Sequence, residues 1–413
     1  MENDKLTTPG AQQQTGTSSR TRQLLPLILA TMASQAVLVV LTPTIVEVGR
    51  EFGASVGAVG QARSLLAGAA IASSLAIAPF LDRLGIRPLL LWGAALAVAG
   101  SVGASLSPSL LVFLSVHALI GVSFACLLSA GFAGVATFPK EARAWAMGHV
   151  VGANALAWIL VSPFAGLLTD TLSWRVAHAV PAVIALSALV SARVAPGGSA
   201  TGAPDVGRGL RGVFAEPSAR RWIVAELIAF FAWGTYLTFI GAFFIQRYGL
   251  GESAAGILLA LGAAVFFLSS IRSSSLARRF PQRELIAVTA LGTGAFIILQ
   301  LNAEPALWIS VVLLCIVAFC AGVRTPVSST LGLSQLPQQP GLMMAARTAA
   351  LQIGYLLGGL VGGVTLVWSG YAALGLVLGT AMTLTAALIL RVSDPLKPEI
   401  VEPTVAAASK DRS

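Results

Sequence analysis

Seven ionisable side chains interrupt the apolar stretches of this sequence: Arg63, His117, His149, His178, Glu226, Arg324 and Arg347. Each is a candidate for chemistry, because a charge placed among apolar residues must find a partner or a wet cavity. On insertion scales an arginine at the middle of a bilayer costs about 2.5–3.5 kcal/mol. Glu226 lies five residues past Arg221, roughly 7 Å further along a helix. Two readings of it stand. Desolvated, it would take up and release a proton near neutrality; alternatively it is an ion-pair member held by Arg220, Arg221 or Arg324. Arg324 follows Ala321 and Gly322 and precedes Pro326, too deep in its stretch to reach water easily. It is either a cation that attracts a bound anion or the partner of Glu226. His117 titrates near physiological pH when unperturbed and is either a proton relay or a satisfied hydrogen-bonding group.

The other basic groups are read more plainly. Arg63 stands about two turns from one end of its apolar run and Arg347 less than two from the end of its own, where a long side chain snorkels to the interface. His178, three residues after Arg175, is read as interfacial, and His149 is left unassigned. Among uncharged groups Gln35 and Asn154 are candidate cavity hydrogen bonders. Trp233 and Tyr236 are the aromatics expected to stack on an amphiphilic ligand. No paired carboxylates, His-x-x-x-His, Gly-x-Ser-x-Gly elbow or P-loop is present, so neither an enzyme nor an ATP-driven pump is expected. Cys126, Cys315 and Cys320 lack metal-ligand spacing, and neither a metal nor a cofactor is expected.

The elements that must position these groups follow from composition. The 413 residues are 56% hydrophobic and 10% charged, with mean hydropathy +0.83; soluble domains carry about 25% charged residues. A bilayer crossing takes about 20 apolar residues. Cutting the apolar runs at Gly, Pro and charge clusters predicts helices over 23–45, 56–80, 87–106, 109–135, 144–168 and 174–195. Six more follow over 222–246, 253–276, 284–301, 306–330, 342–366 and 369–391. The fold class is an all-α membrane protein of twelve transmembrane helices in two six-helix bundles. Residues 23–195 form the first bundle and 221–391 the second. A linker over 196–220 joins them, and tails over 1–22 (disordered, with no cleaved signal) and 392–413 flank them.

The net charge of +9 would suggest nucleic acid in a soluble chain, but its placement decides otherwise, and no nucleic-acid partner is expected. With the termini on one side, twenty Lys and Arg fall in the segments of that side, against Arg50, Arg175 and Arg247 on the other. The positive-inside bias then orients both termini to the cytoplasm. Arginine-rich composition with abundant Ala and Gly suggests a bacterial plasma membrane. The halves also echo each other: Leu81–Asp82–Arg83–Leu84–Gly85–Ile86–Arg87 follows the second helix, and Ala277–Arg278–Arg279–Phe280–Pro281–Gln282–Arg283 follows the eighth. A basic loop at the same place in each six is a repeat signature.

At these residues the chain resembles the major facilitator superfamily, in its twelve-helix drug:proton antiporter-like branch. The family's Gly-x-x-x-Asp-Arg-x-Gly-x-Arg signature is met by Asp82, Arg83, Gly85 and Arg87, with Ala78 at the leading Gly and Pro88 where a second basic residue is usual. The Arg-x-x-x-Gly motif of helix 4 corresponds to His117–Gly121, with His for Arg; the helix 5 antiporter motif keeps Pro163 and Gly166 and loses its flanking Gly pair. The resemblance implies alternating access. It also implies a cavity lined by helices 1, 4, 7 and 10, which here carry Gln35, His117, Glu226 and Arg324. The implied cytoplasmic gate comprises Asp82, Arg83, Gly85, Arg87 and, as partner of Asp82, Arg347. Pro163, Gly166, Gly358 and Gly362 are expected at sliding helix contacts. The expected function is proton-coupled efflux of small amphiphilic compounds by a monomer using the proton gradient; the alternative is uptake or exchange of a small organic anion through Arg324.

Overall fold

The computed structural model describes residues 9–77, 85–195 and 214–395. Its helices are α1 (Pro9–Val39), α2 (Leu41–Glu51), α3 (Val56–Ile77), α4 (Ile86–Ser105), α5 (Leu110–Ala133), α6 (Lys140–Thr171) and α7 (Trp174–Ser191) in the first half. The second half holds α8 (Pro217–Tyr248), α9 (Glu252–Ala277), α10 (Gln282–Ala303), α11 (Leu307–Gln335) and α12 (Pro340–Ile389). Helix α1 begins inside the segment assigned to the N-terminal tail, and α8 inside the one assigned to the linker.

Ten helices among the described residues are long and apolar enough to cross a membrane, which makes this a multi-pass membrane protein. The sequence predicts twelve, and two features account for the difference. Gly370, at φ +72°, breaks α12 into two arms; a side chain there would be strained, and the chain reverses where the sequence places the boundary between its last two spans. Helix α3 carries Gln61, Arg63 and three serines, which lower its hydropathy without preventing a 22-residue helix.

The turns after α2, α4, α6, α8 and α10 gather at one end, with Arg50, Arg175 and Arg247. Each of these three arginines is paired there. Arg50 donates to Glu47 at 2.5 Å, Arg175 to Glu51 at 2.6 Å, and Arg247 pairs with Glu304. The remaining arginine-rich turns form the opposite, basic end. The two halves repeat one packing scheme: α3 and α4 each pack on α5, as α9 and α10 each pack on α11, and α4 packs on α7 as α10 packs on α12. Between the halves α3 meets α12, and α6 meets α9.

Backbone closeness at these two seams is set by glycine. A methyl group on Gly57 would strike the carbonyl of Gly363, and one on Gly256 would sit 3.0 Å from Cα of Pro163. Both contacts belong to the end opposite the basic one. Gly148 lies on the same side of α6 as Gly166, five turns away. Gly166 abuts the backbone of Glu252 on α9, whereas Gly148 has nothing within 4 Å among the described residues. The halves therefore touch at the far end and splay toward the basic end.

Across the α6–α9 seam Asp170 accepts hydrogen bonds from the backbone amides of Glu252 (2.9 Å) and Ser253 (2.8 Å). A carboxylate on the first amides of a helix satisfies groups the helix cannot and complements its dipole. Asp170→Ala is expected to shift the protein toward the state open at the far end, by about 1–2 kcal/mol for a lost helix cap. Faster thiol labelling of a cysteine placed at Gly251 would report it, and unchanged labelling would show that the seam does not depend on the cap.

Candidate functional site

Glu226 faces inward from the basic half of α8, its neighbours Ala225 and Ala229 packed against the core. Arg324 of α11 donates to its Oε1 at 2.6 Å, and Arg347 of α12 donates from Nε to its Oε2 at 2.8 Å. Ser328, one turn past Arg324, adds a bond to Oε1 at 2.9 Å. It is itself positioned by the indole of Trp222, which donates to its carbonyl and hydroxyl, each at 3.1 Å. Arg347 also reaches the carbonyl of Thr325 at 3.4 Å. The side chains of Glu226 and Arg324 are 0% and 2% exposed, and that of Arg347 15%. Two guanidinium groups on one carboxylate leave an excess positive charge inside the protein. Phe230, one turn beyond Glu226, presents its ring to both cations, 5.8 Å from Arg324 and 5.0 Å from Arg347, an arrangement that stabilises desolvated guanidinium. Tyr355 meets Phe230 edge-on at 6.3 Å.

Of the two readings of Glu226 and Arg324, the geometry realises the ion pair, and it adds Arg347, which the sequence assigned to a gate with Asp82. Asp82 and Arg83 lie outside the described residues. Gly85 starts α4 with φ +72°, and Arg87 is exposed beside it.

The remaining candidates are dispersed. Gln35 on α1 accepts from the indole of Trp158 at 3.3 Å. Asn154 is part-exposed, and its Oδ1 has no partner among the described residues. Trp233 stacks on Phe266 of α9 at 5.7 Å and on Tyr236 at 6.0 Å. Tyr236 itself is buried, its hydroxyl donating to Gln300 at 2.7 Å while Gln300 donates to Ser310 at 3.0 Å, so it braces α8 against α10 and α11. Pro163 and Gly166 sit on the α6–α9 seam. Gly358 and Gly362 pack on Thr235 of α8, whereas Gly359 and Gly363, one position on, face Ser64 and Gly57 of α3.

Two residues, Arg63 and His178, depart from the expectation. Arg63, read as snorkelling, is 3% exposed, its guanidinium donating to the hydroxyl of Thr42 at 3.3 Å. Its Nε has no partner, and no carboxylate pairs with it among the described residues. The neighbouring face of α3, 100° or more around the helix from Arg63, is the one turned to α12, where Gln61 and Ser64 donate to the carbonyls of Gly359 (3.0 Å) and Leu356 (2.9 Å). His178, read as interfacial, is buried, and its Nδ1 bonds Trp174 O at 3.1 Å. His117 bonds Phe113 O at 2.8 Å through Nδ1, and its ring lies 6.3 Å from that of His178. In both histidines Nε2 has no partner among the described residues.

Comparison with known proteins completes the picture. The sequence profile of the Major Facilitator Superfamily matches residues 27–299. The chain is 26% identical over 370 residues to the transcription regulatory protein OpdE of Pseudomonas aeruginosa, covering 87% of this chain and 90% of that protein. It is 27% identical over 169 residues to the multidrug resistance protein MdtM of Escherichia coli K12, spanning 40% of each. Among solved structures it superposes on a D-xylose-proton symporter with TM-score 0.75, at 14% identity, over 91% of this chain and 98% of that one.

Proposed function

The chain belongs to the major facilitator superfamily and is a membrane transporter; we propose that it carries a small organic anion by alternating access, coupled to a proton through Glu226. The observation that supports this is the buried trio, in which Arg324 and Arg347 share one carboxylate. A substrate carboxylate that takes over a guanidinium releases Glu226, which then accepts a proton. The trio carries one excess positive charge before the exchange and one after it. Binding of anion and proton is thereby linked without adding a further unpaired charge to the protein interior, where such charges are strongly disfavoured. In this reading the termini and the basic end are cytoplasmic, the protein resides as a monomer in a bacterial plasma membrane, and the proton gradient drives it.

Flux in reconstituted vesicles tests it. Organic-anion uptake is expected to rise with an imposed proton gradient and to fall at least tenfold in Arg324→Ala. An Arg324→Lys variant with wild-type flux and charge selectivity would overturn the anion reading.

Efflux of amphiphilic compounds is the second reading. It is favoured by the similarity to MdtM, named a multidrug resistance protein, and by the part-exposed Trp233 stacked between Phe266 and Tyr236. Gradient-driven extrusion of a cationic dye that survives Arg324→Ala and is lost in Trp233→Ala would favour it over the first.

A further inference from the structure

Arg63 belongs to the first half of the molecule, and the trio around Glu226 to the second. Tyr355 stands between them. Ser64, next to Arg63, bonds the carbonyl of Leu356, next to Tyr355, at 2.9 Å, so the α3–α12 seam brings guanidinium and phenol to one level. On its other side the Tyr355 ring contacts Phe230 at 6.3 Å, whose face is turned to Arg324 and Arg347. All three arginines act electrostatically on Tyr355. Around one part-exposed phenol the protein thus gathers three cations and, among the described residues, the single carboxylate Glu226.

Arg63 is poorly satisfied by its surroundings. A guanidinium brings five donors; one reaches Thr42 at 3.3 Å, Nε has no partner among the described residues, and the side chain is 3% exposed. A buried, unpaired cation in a membrane protein is retained where something charged comes to meet it. Resting on the anion-transport reading above, we propose that the substrate is a dianion, such as a dicarboxylate, with one anionic group held by Arg63 of the first half and the other by Arg347 and Arg324 of the second. Tyr355 donates its hydroxyl to the bound ligand between them. A ligand bridging both halves draws them together around itself, and a monoanion leaves one of the two cationic poles unpaired. The dianion gives each pole a carboxylate to pair with, so the preference for two charges arises from the seam and not from either bundle alone.

The experiment compares succinate, glutarate and phthalate with their monomethyl esters, which keep the size and remove one charge. Purified full-length protein is titrated with each, and affinity is read from the shift in melting temperature and from competition in vesicle counterflow. Diacids are expected to bind at least tenfold more tightly than their half-esters. Arg63→Gln is expected to bring that ratio close to one, and Arg63→Lys to keep most of it. Equal affinity of diacid and half-ester in the wild type, or an Arg63→Gln variant that keeps the ratio, overturns the proposal while leaving a monoanion transporter standing. Should Arg63→Gln fail to fold, the wild-type ratio still decides. Binding of neither ligand class removes the anion reading itself and the dianion with it.

Discussion

Glu226→Gln is expected to abolish coupled transport and to destabilise the protein by about 3–5 kcal/mol, the penalty for removing one partner of a buried ion pair. The size follows from the burial: Arg324 at 2% exposure is shielded from water in this state, and loss of the carboxylate leaves it facing Arg347 with only neutral acceptors. A double variant, Glu226→Gln with Arg324→Gln, is expected to recover much of the stability and none of the coupling, since the remaining cation, Arg347, is 15% exposed and can be hydrated. Thermal denaturation in detergent gives the first quantity and proton-gradient-driven flux the second. Single and double variants with additive effects would mean that the two side chains do not interact, contrary to their 2.6 Å contact.

Gly57→Leu is expected to reduce flux more than tenfold while leaving membrane insertion intact. The added side chain would meet the Gly363 carbonyl and Cγ2 of Val367, backbone and packed atoms that cannot yield as a flexible surface group does. The α3–α12 seam then fails to close, and the protein is held open at the far end. Thr42→Cys in a chain lacking its native cysteines reports this, because Thr42 is buried against Gly241 when that end is shut. Its labelling by a hydrophilic thiol reagent should accelerate in the Gly57→Leu background. Gly148→Leu provides the mirror experiment: the added side chain meets open space in the present state but obstructs the α6–α9 contact when the basic end closes. It is expected to slow labelling at position 42 below wild type. Identical labelling in both variants would exclude a rocking motion about these two seams.

How far the sequence reaches is clearest on α12. The Gly358–Gly363 run is visible as a place where helices approach, since small residues at that density have no other evident use in a bilayer. Which glycine meets which helix is not visible. Gly358 and Gly362 turn to α8 of their own half, and Gly359 and Gly363, 100° further round the helix, turn to α3 of the other. The same limit applies to charge. Arg63 and Arg347 look alike in sequence, each within two turns of the end of an apolar run. One is buried without a carboxylate among the described residues, and the other completes the trio on Glu226.

The sequence by itself determined where apolar segments lie, illustrated by the predicted 87–106 and 253–276 against helices Ile86–Ser105 and Glu252–Ala277. It also determined the segregation of arginine to one end and the family. Those properties are local sums: hydropathy over about 20 residues and charge per turn can be read without knowing any neighbour. The tertiary structure alone decided that Arg347 pairs with Glu226, that Arg63 is buried against Thr42, and that the halves meet at the far end. A side chain's partner depends on the rotation of each helix about its axis, and that rotation is set by backbone contacts between glycines such as Gly60 and Gly359 or Gly57 and Gly363, far apart in the chain.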